Sequence, residues 1–389
     1  MQFYIIEPLD ILLFREAKPF SPAEGSWAKG IFPPLPITVF QALRSTIDAS
    51  ESENNRRFQF IGPFLLYEEP GEKPELWLPT PKDLLCINTK KNDDEQEEIS
   101  ESNYKDKSIE WERLVCLQPL DCNHEIWSSL GFDLEYFPEN GLVPMIPPTA
   151  SPLEANATSL NHRSHNEYIS GRPQPWIKAS ALVKYLQGES LIDASDFHHD
   201  PWSLQVLSHI QMQSDKRQVK TEDGYFTEVA VRLHKYWKLV AGIDTQIEET
   251  TVRLGGEGHR ALVYPLDELP MWDEIQSFAE TSDSKGNKAY LVTPGLAQSH
   301  PTELIYGVFP YAWREQLLGC VSDRPILYGG KSVYQKRPML PQRAFVPPGT
   351  VYRFQRDFQQ CSQSVLPSVG GKWLQTLQSL NYGKLLWSR

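Results

Sequence analysis

Cysteine is scarce in this chain of 389 residues, and the five present (Cys86, Cys116, Cys122, Cys320, Cys361) form no C-x-x-C pair. Their odd number and wide spacing exclude a disulfide framework and a thiolate zinc site. They suit a reducing compartment, so a cytoplasmic protein is expected. Long hydrophobic runs are missing too, and no membrane partner is expected. The opening MQFYIIEPLDILLFRE has early acids and no basic n-region, so no signal peptide is expected there. Cations are in short supply: 38 Lys and Arg face 50 Asp and Glu, for a net charge of −12. Taken alone, that balance argues against a nucleic-acid binder.

The charge is unevenly spread, however. Between Asn92 and Glu112 stand nine acids and two lysines. Between Tyr328 and Arg356 stand Lys331, Lys336, Arg337, Arg343, Arg353 and Arg356, with no acid at all. An acidic insertion plus a basic C-terminal stretch is a different object from a uniformly acidic protein. The 31 prolines and 11% aromatics imply ordered loops over short strands. The length suits one large or two ordinary domains.

Apolar and β-branched runs predict strands over 2–7, 58–67, 75–78, 204–212, 225–233, 235–243 and 289–292. Residues 9–14 form a further short apolar run, and 344–354 a hairpin or strand entry bent at Pro347-Pro348-Gly349. Helical spacing predicts a helix over 37–47, with Thr38 as its N-cap and Val39, Leu43 and Ile47 on one face. Shorter helices are expected over 177–186 and 272–279. Strand, long loop and helix at the start make the opening half of a split βαβ unit. The low-apolar segment 90–112 reads as a surface insertion. The Pro-, Asn- and Ser-rich stretch after 138 puts a domain boundary within 140–200. A polar tip with Lys216, Arg217 and Lys220 closes the 204–233 hairpin.

Leu254-Gly255-Gly256-Glu257-Gly258-His259-Arg260 is the most informative stretch. Three glycines bring backbone amides within reach of a partner, and phosphate is the natural one, with His259 and Arg260 facing its charge. A mobile turn is the alternative. Gly330-Lys331-Ser332 resembles the tail of a P-loop, but the position of its first glycine is Pro325, which excludes a nucleotide triphosphatase. The His162/His165 and His198-His199-Asp200 clusters lack metal-ligand spacing and read as surface histidines, so neither metal nor cofactor is expected. Arg15, Lys18, Arg44, Lys216, Arg217, Arg260 and the 331–356 cations fall in loops and strand ends. Trp27, Phe32, Tyr334 and Tyr352 lie near them, where rings can stack on unpaired bases. His259 serves either to bind a phosphate or base or as a general acid–base group in RNA cleavage.

The segments FYIIEPLDILLFREAKPF and FPPLPITVFQALRS, the 208–233 hairpin, LGGEGHR, AFVPPGTVYRF and Tyr382-Gly383 stand in the order found in one family. The chain resembles the third subunit of the Cmr complex, the type III-B CRISPR RNA-guided effector. The resemblance implies an α+β protein of two ferredoxin-like (RRM/RAMP) domains with long loop insertions. The first would span 1–160 with the acidic insertion 90–112, and 161–200 would link it to a second over 201–389. It further implies a non-catalytic subunit of the Cas-five-like group that caps the 5′ handle of the crRNA. Such a subunit docks to the large polymerase-like subunit and to an adjacent backbone RAMP subunit. The implied RNA-binding set is Arg15, Lys18, Phe32, Arg44, Lys216, Arg217, Gly255, Gly256, Gly258, His259, Arg260, Gly329, Gly330, Lys331, Tyr334, Arg337, Tyr382 and Gly383. This sequence departs from the family's GGEGR loop by His259, inserted before the arginine. The alternative is a RAMP endoribonuclease that processes guide RNA through His259.

Overall fold

The structure, a computed structural model, describes residues 1–17, 27–28, 30–47, 58–89, 111–120, 142–148, 167–189, 193–210, 213, 218–219, 225–279, 286–330, 340–355 and 364–388. It is a mixed fold, rich in strands and poor in helices. The first half supplies β1 (Gln2–Pro8), β2 (Trp27–Ala28), α1 (Pro36–Arg44), β3 (Phe60–Tyr67), β4 (Glu75–Pro79), β5 (Trp176–Lys178) and α2 (Ala179–Gln187). Next come β6 (Phe197–His198), β7 (Trp202–Ile210), β8 (Tyr225–Leu233), β9 (Trp237–Ile243), β10 (Thr250–Arg253), β11 (Arg260–Leu266) and α3 (Trp272–Ser277). The last part contributes β12 (Lys288–Leu291), β13 (Leu317–Val321), β14 (Val351–Phe354), α4 (Lys372–Ser379) and β15 (Leu385–Trp387).

An eight-stranded antiparallel sheet runs β6-β5-β4-β3-β9-β1-β11-β10. β1 lies inside it, with Ile5 opposite Val240 of β9 on one side and Tyr264 of β11 on the other. Both faces are covered. Tyr4 and Ile6 pack with Val39, Phe40 and Leu43 of α1. Ile5 points the other way, into a core with Leu182 and Leu186 of α2 and Ile275 of α3. A strand buried on both faces reads as a continuous apolar run rather than an alternation. That is the pattern of FYII and FIGPFLLY. The sheet takes strands from both sides of the 161–200 segment, since β9 pairs with β3 and β1, and β11 with β1 and β10.

Among the smaller sheets, two bear on the site and its support. One is β7-β8-β2, built on the long 202–233 hairpin. The apolar run 9–14 is not a regular strand; Leu12 exchanges two 2.8 Å backbone hydrogen bonds with Val231 and so ties β8 to the end of β1. The other sheet is β13-β14-β12-β15, with a separate core of Leu291, Trp313, Tyr352, Phe354 and Trp387. Tyr352, expected near an RNA-facing loop, is fully buried there.

Pro347-Pro348-Gly349 seats this last sheet on the first. Gly349 adopts φ +89°, and a Cβ there would stand 2.8 Å from the Thr80 carbonyl oxygen. Its own carbonyl accepts from the Lys82 amide at 2.9 Å. Beneath, the Tyr185 hydroxyl donates to buried Asp83 at 2.7 Å. The Lys288 ammonium sits 3.5 Å from the centre of the Tyr185 ring. Burial pushes the Asp83 carboxyl up and the Lys288 ammonium down, each toward its neutral form.

α1 starts at Pro36 rather than after Thr38, and no side chain caps it. Proline supplies a pre-set φ and lacks the amide that a cap would satisfy. Ile177 and Lys178, expected in a helix, pair as β5, and α2 begins one residue later. α4 was not anticipated; its buried residues are only Leu374 and Leu377, in a polar sequence.

Candidate nucleic-acid interface

The glycine-rich stretch is the tip of the β10–β11 hairpin, which closes with Arg253 opposite Arg260. Gly255 (φ +87°), Glu257 (φ 53°) and Gly258 (φ +82°) take left-handed conformations, so the tip is a defined turn. Gly255 is needed twice over, because a Cβ would also run into the Leu13 carbonyl oxygen. The amides expected to meet phosphate are in part committed internally. Gly256 donates to the Leu13 carbonyl at 2.8 Å, Leu254 to His259 at 2.9 Å, and His259 to Gly256 at 3.2 Å. The turn is thus ordered by its packing on the 13–15 segment, and its outer side carries the exposed Arg253, Gly258 and Arg260.

A groove of ≈ 1420 Å³ runs from this turn between β10 and α1. Its wall carries hydroxyls and amides: Thr38, Gln41, Ser45 and Thr46 of the α1 end, and Thr250 and Thr251 of β10. Its charges are Arg15 and Arg253 against Glu248, Glu249 and Glu257. Arg15 is further tied to Glu257 at 2.5 Å. The groove is therefore polar but not basic. Arg44 is exposed at the C-terminal end of α1.

His259 is anchored rather than free. Its Nε2 lies 2.9 Å from Oε1 of Glu228, whose side chain is wholly buried. On the opposite side His209 Nε2 stands 2.7 Å from Oε2 of the same carboxylate. β7, β8 and the glycine turn thus meet at one buried carboxylate. Sequence reasoning missed Glu228, His209 and Arg253. An acid in the middle of the apolar run TEVAVRL was the available signal.

Other expected residues sit elsewhere. Phe32 is half-buried, packed 4.7 Å from the Trp202 ring centre and 6.1 Å from Phe14. Gly329 and Gly330 belong to a strand (Ile326–Gly330) paired with Leu340–Phe345. Tyr382 and Gly383 are packed in the interior. Tyr382 is 2% exposed and its hydroxyl accepts from the Ile37 amide at 3.2 Å. A Cβ on Gly383 would lie 2.8 Å from the Val365 backbone. His198 packs against Trp237 at a tilt of 52° and edge-on against Trp77 at 74°. Lys18, Lys216, Arg217, Lys331, Tyr334, Arg337, His162, His165, nearly all of the 90–112 insertion and the side chain of Trp27 lie outside the described residues. Among the described residues no His, Cys, Asp or Glu cluster is placed to hold a metal ion. No described helix is long and apolar enough to cross a membrane.

A family model described as CRISPR-associated protein (Cas_Cmr3) matches residues 4–387. No curated protein matches the chain. Among solved structures, one similar chain comes from the cryo-EM structure of a Type III-B Cmr-beta bound to cognate target RNA and AMPPnP. It shares 14% identity at a TM-score of 0.43, over 90% of this chain and 86% of that one. A second comes from the same type of complex bound to cognate target RNA, with 15% identity, a TM-score of 0.42 and coverages of 90% and 86%. A third belongs to the crystal structure of a Csm3–Csm4 subcomplex of the type III-A interference complex. Its identity is 10%, its TM-score 0.32 and its coverages 92% and 94%.

Proposed function

The chain belongs to the Cas_Cmr3 family of CRISPR-associated proteins, and from that premise we propose that it binds and caps the 5′ repeat-derived handle of the crRNA in a type III effector complex. In this reading it is a non-catalytic subunit, docked to the large polymerase-like subunit on one side and to a backbone RAMP subunit on the other. The observation that carries the RNA-binding part is the ordered glycine turn. It holds exposed Arg253 in the wall of a groove that carries hydroxyls and amides beside Glu248, Glu249 and Glu257, with exposed Arg260 opposite Arg253 on the paired strand. Such a wall recognises ribose and base edges, and the two arginines hold phosphate. The fold in this reading is a pair of ferredoxin-like units over 1–160 and 201–389. Strands β9, β10 and β11 of the second unit then complete the sheet of the first.

The groove's charge alters the expected salt dependence. A grip dominated by phosphate would weaken steeply with salt, but Arg15 is paired with Glu257. Two free arginines on a single strand give a slope of about −1.4 in log K against log salt, at about −0.7 per phosphate neutralised. The test is handle binding by the assembled complex with Arg253→Ala/Arg260→Ala. The reading expects weaker binding and a slope shallower by about 1.4. Unchanged affinity and slope would remove the turn from the interface.

One observation favours the endoribonuclease reading: the pairing of His259 with buried Glu228, which fixes the imidazole as a general base requires. Incubating the full chain with repeat RNA in the absence of metal separates the two. Cleavage lost in His259→Ala supports the enzyme; intact RNA supports the cap.

A further inference from the structure

Glu228 is a wholly buried acid in the middle of β8, and both of its ion-pair partners among the described residues are histidines. His259 Nε2 lies 2.9 Å from Oε1, and His209 Nε2 lies 2.7 Å from Oε2. A ring nitrogen this close to a carboxylate oxygen carries a proton, since two lone pairs would repel. Each ring therefore turns its Nε2–H to Glu228, and the proton that sets its charge belongs to Nδ1. Oε2 has no hydrogen-bond donor aligned on it, so its contact with His209 is chiefly electrostatic. The carboxylate is sealed from water, but the His259 and His209 side chains are 17% and 34% exposed. Protons can reach the imidazoles without the core opening.

Three charge states follow. With both imidazoles neutral, the cluster holds an uncompensated buried anion, which is costly. One imidazolium makes it neutral. A second leaves a net charge of +1 and sets two like charges about one carboxylate. The other charged groups on the surrounding elements are engaged elsewhere or face outward. Arg232 of β8 is paired with Asp10, and Arg15 with Glu257. Glu16, Arg253 and Arg260 are exposed. On β2 the residue opposite Glu228 is Ala28. His234, just past β8, is hydrogen-bonded to Ser203 at 2.9 Å.

We propose that His209, Glu228 and His259 form a proton-linked clamp. It holds the glycine turn against the 202–233 hairpin most firmly with one imidazolium, and it loosens when that proton leaves or a second arrives. Glu228 acts as a positioning residue. It holds the ring of His259, whose carbonyl accepts from the Leu254 amide at 2.9 Å and so closes the turn just before Arg260. Arginine does not titrate in proteins, so a dependence of the turn on neutral pH must come through such a cluster. The link to RNA rests on the groove reading, but the clamp is testable without a guide.

The test is hydrogen–deuterium exchange of the full chain from pH 5 to 9, corrected for the intrinsic pH dependence of exchange and read by mass spectrometry. Protection of amides 252–260 should pass through a maximum and fall about tenfold on each side, the scale of one charged hydrogen bond. Amides of β9 should stay constant and so exclude global unfolding. His209→Gln keeps a donor and removes one titrating ring, so it should lose the acid-side fall alone. Glu228→Gln keeps the shape and removes the charge, so it should lose the alkaline-side fall alone. Thermal melting identifies the variants that fold, and His209→Gln carries the test if Glu228→Gln does not. The proposal is overturned if protection of the turn in the parent does not vary with pH, if β9 varies with it, or if a folded variant keeps the limb it should lose. Handle binding by the assembled complex should follow the same profile. A clamp profile with handle binding indifferent to pH would refute the groove reading and spare the clamp. Flat protection with handle binding that still needs Arg253 and Arg260 would refute the clamp alone.

Discussion

Gly255 and Gly258 stand three residues apart in one turn with nearly the same positive φ, so they form a matched pair for mutation. At Gly258 a Cβ meets nothing within 4 Å. Gly258→Ala should therefore cost only the left-handed backbone strain, about 1 kcal/mol. At Gly255 the same strain applies, and the methyl group also collides with the Leu13 carbonyl oxygen. Relief requires the turn to move off the 13–15 segment. That movement breaks the 2.8 Å hydrogen bond from Gly256 to Leu13, which adds about 0.5–1.5 kcal/mol. Lost packing against Leu13 and Phe14 raises the total to about 2–4 kcal/mol. Urea unfolding of the two variants at equal m-value reads the difference. Handle binding should follow the same order, with Gly255→Ala impaired and Gly258→Ala close to the parent. Equal destabilisation of the two would refute the claim that the turn is defined by its seat on Leu13.

Three further outcomes are expected. Glu228→Ala should destabilise the chain by about 1–3 kcal/mol in urea, because the wholly buried carboxylate accepts from His259 and faces His209. Tyr185→Phe should cost about 1–3 kcal/mol by leaving buried Asp83 without its hydroxyl donor, read as a lower urea midpoint. Burial pushes the thiols of Cys86, Cys116 and Cys320 up to about 11. A raised thiol pKa lowers the thiolate fraction at pH 8 to about one part in a thousand. In a Cys122→Ser/Cys361→Ser background, labelling by a disulfide reagent should be slow at pH 8, accelerate toward pH 11, and become fast at pH 8 in urea.

Local pattern made much of the fold legible. β1, β3, the 202–233 hairpin and β9 follow from apolar, β-branched runs, and the Val39–Leu43 spacing marks the buried face of α1. What escaped is set by distant partners. The run 9–14 has strand composition, but a single bridge to Val231 decides its fate. The small turn at Tyr382-Gly383 looks like the glycine turn at 255–258 in composition. One is buried against Val365 and the other is exposed at a hairpin tip, and only packing tells them apart. The charge of Arg15 could not be weighed without knowing that Glu257, 242 positions away, is paired with it. Glu228 was visible as an acid out of pattern, yet its two histidines come from β7 and from the glycine turn.

Crosslinking the guide to the assembled complex tests the central claim most directly. 4-Thiouridine is placed at each handle position in turn, and the attached peptides are identified by mass spectrometry. The account predicts attachment at residues 13–15 and 250–260 and at the end of α1. Efficient crosslinking of the handle to this chain only at sites away from that groove, or to other subunits alone, would contradict it.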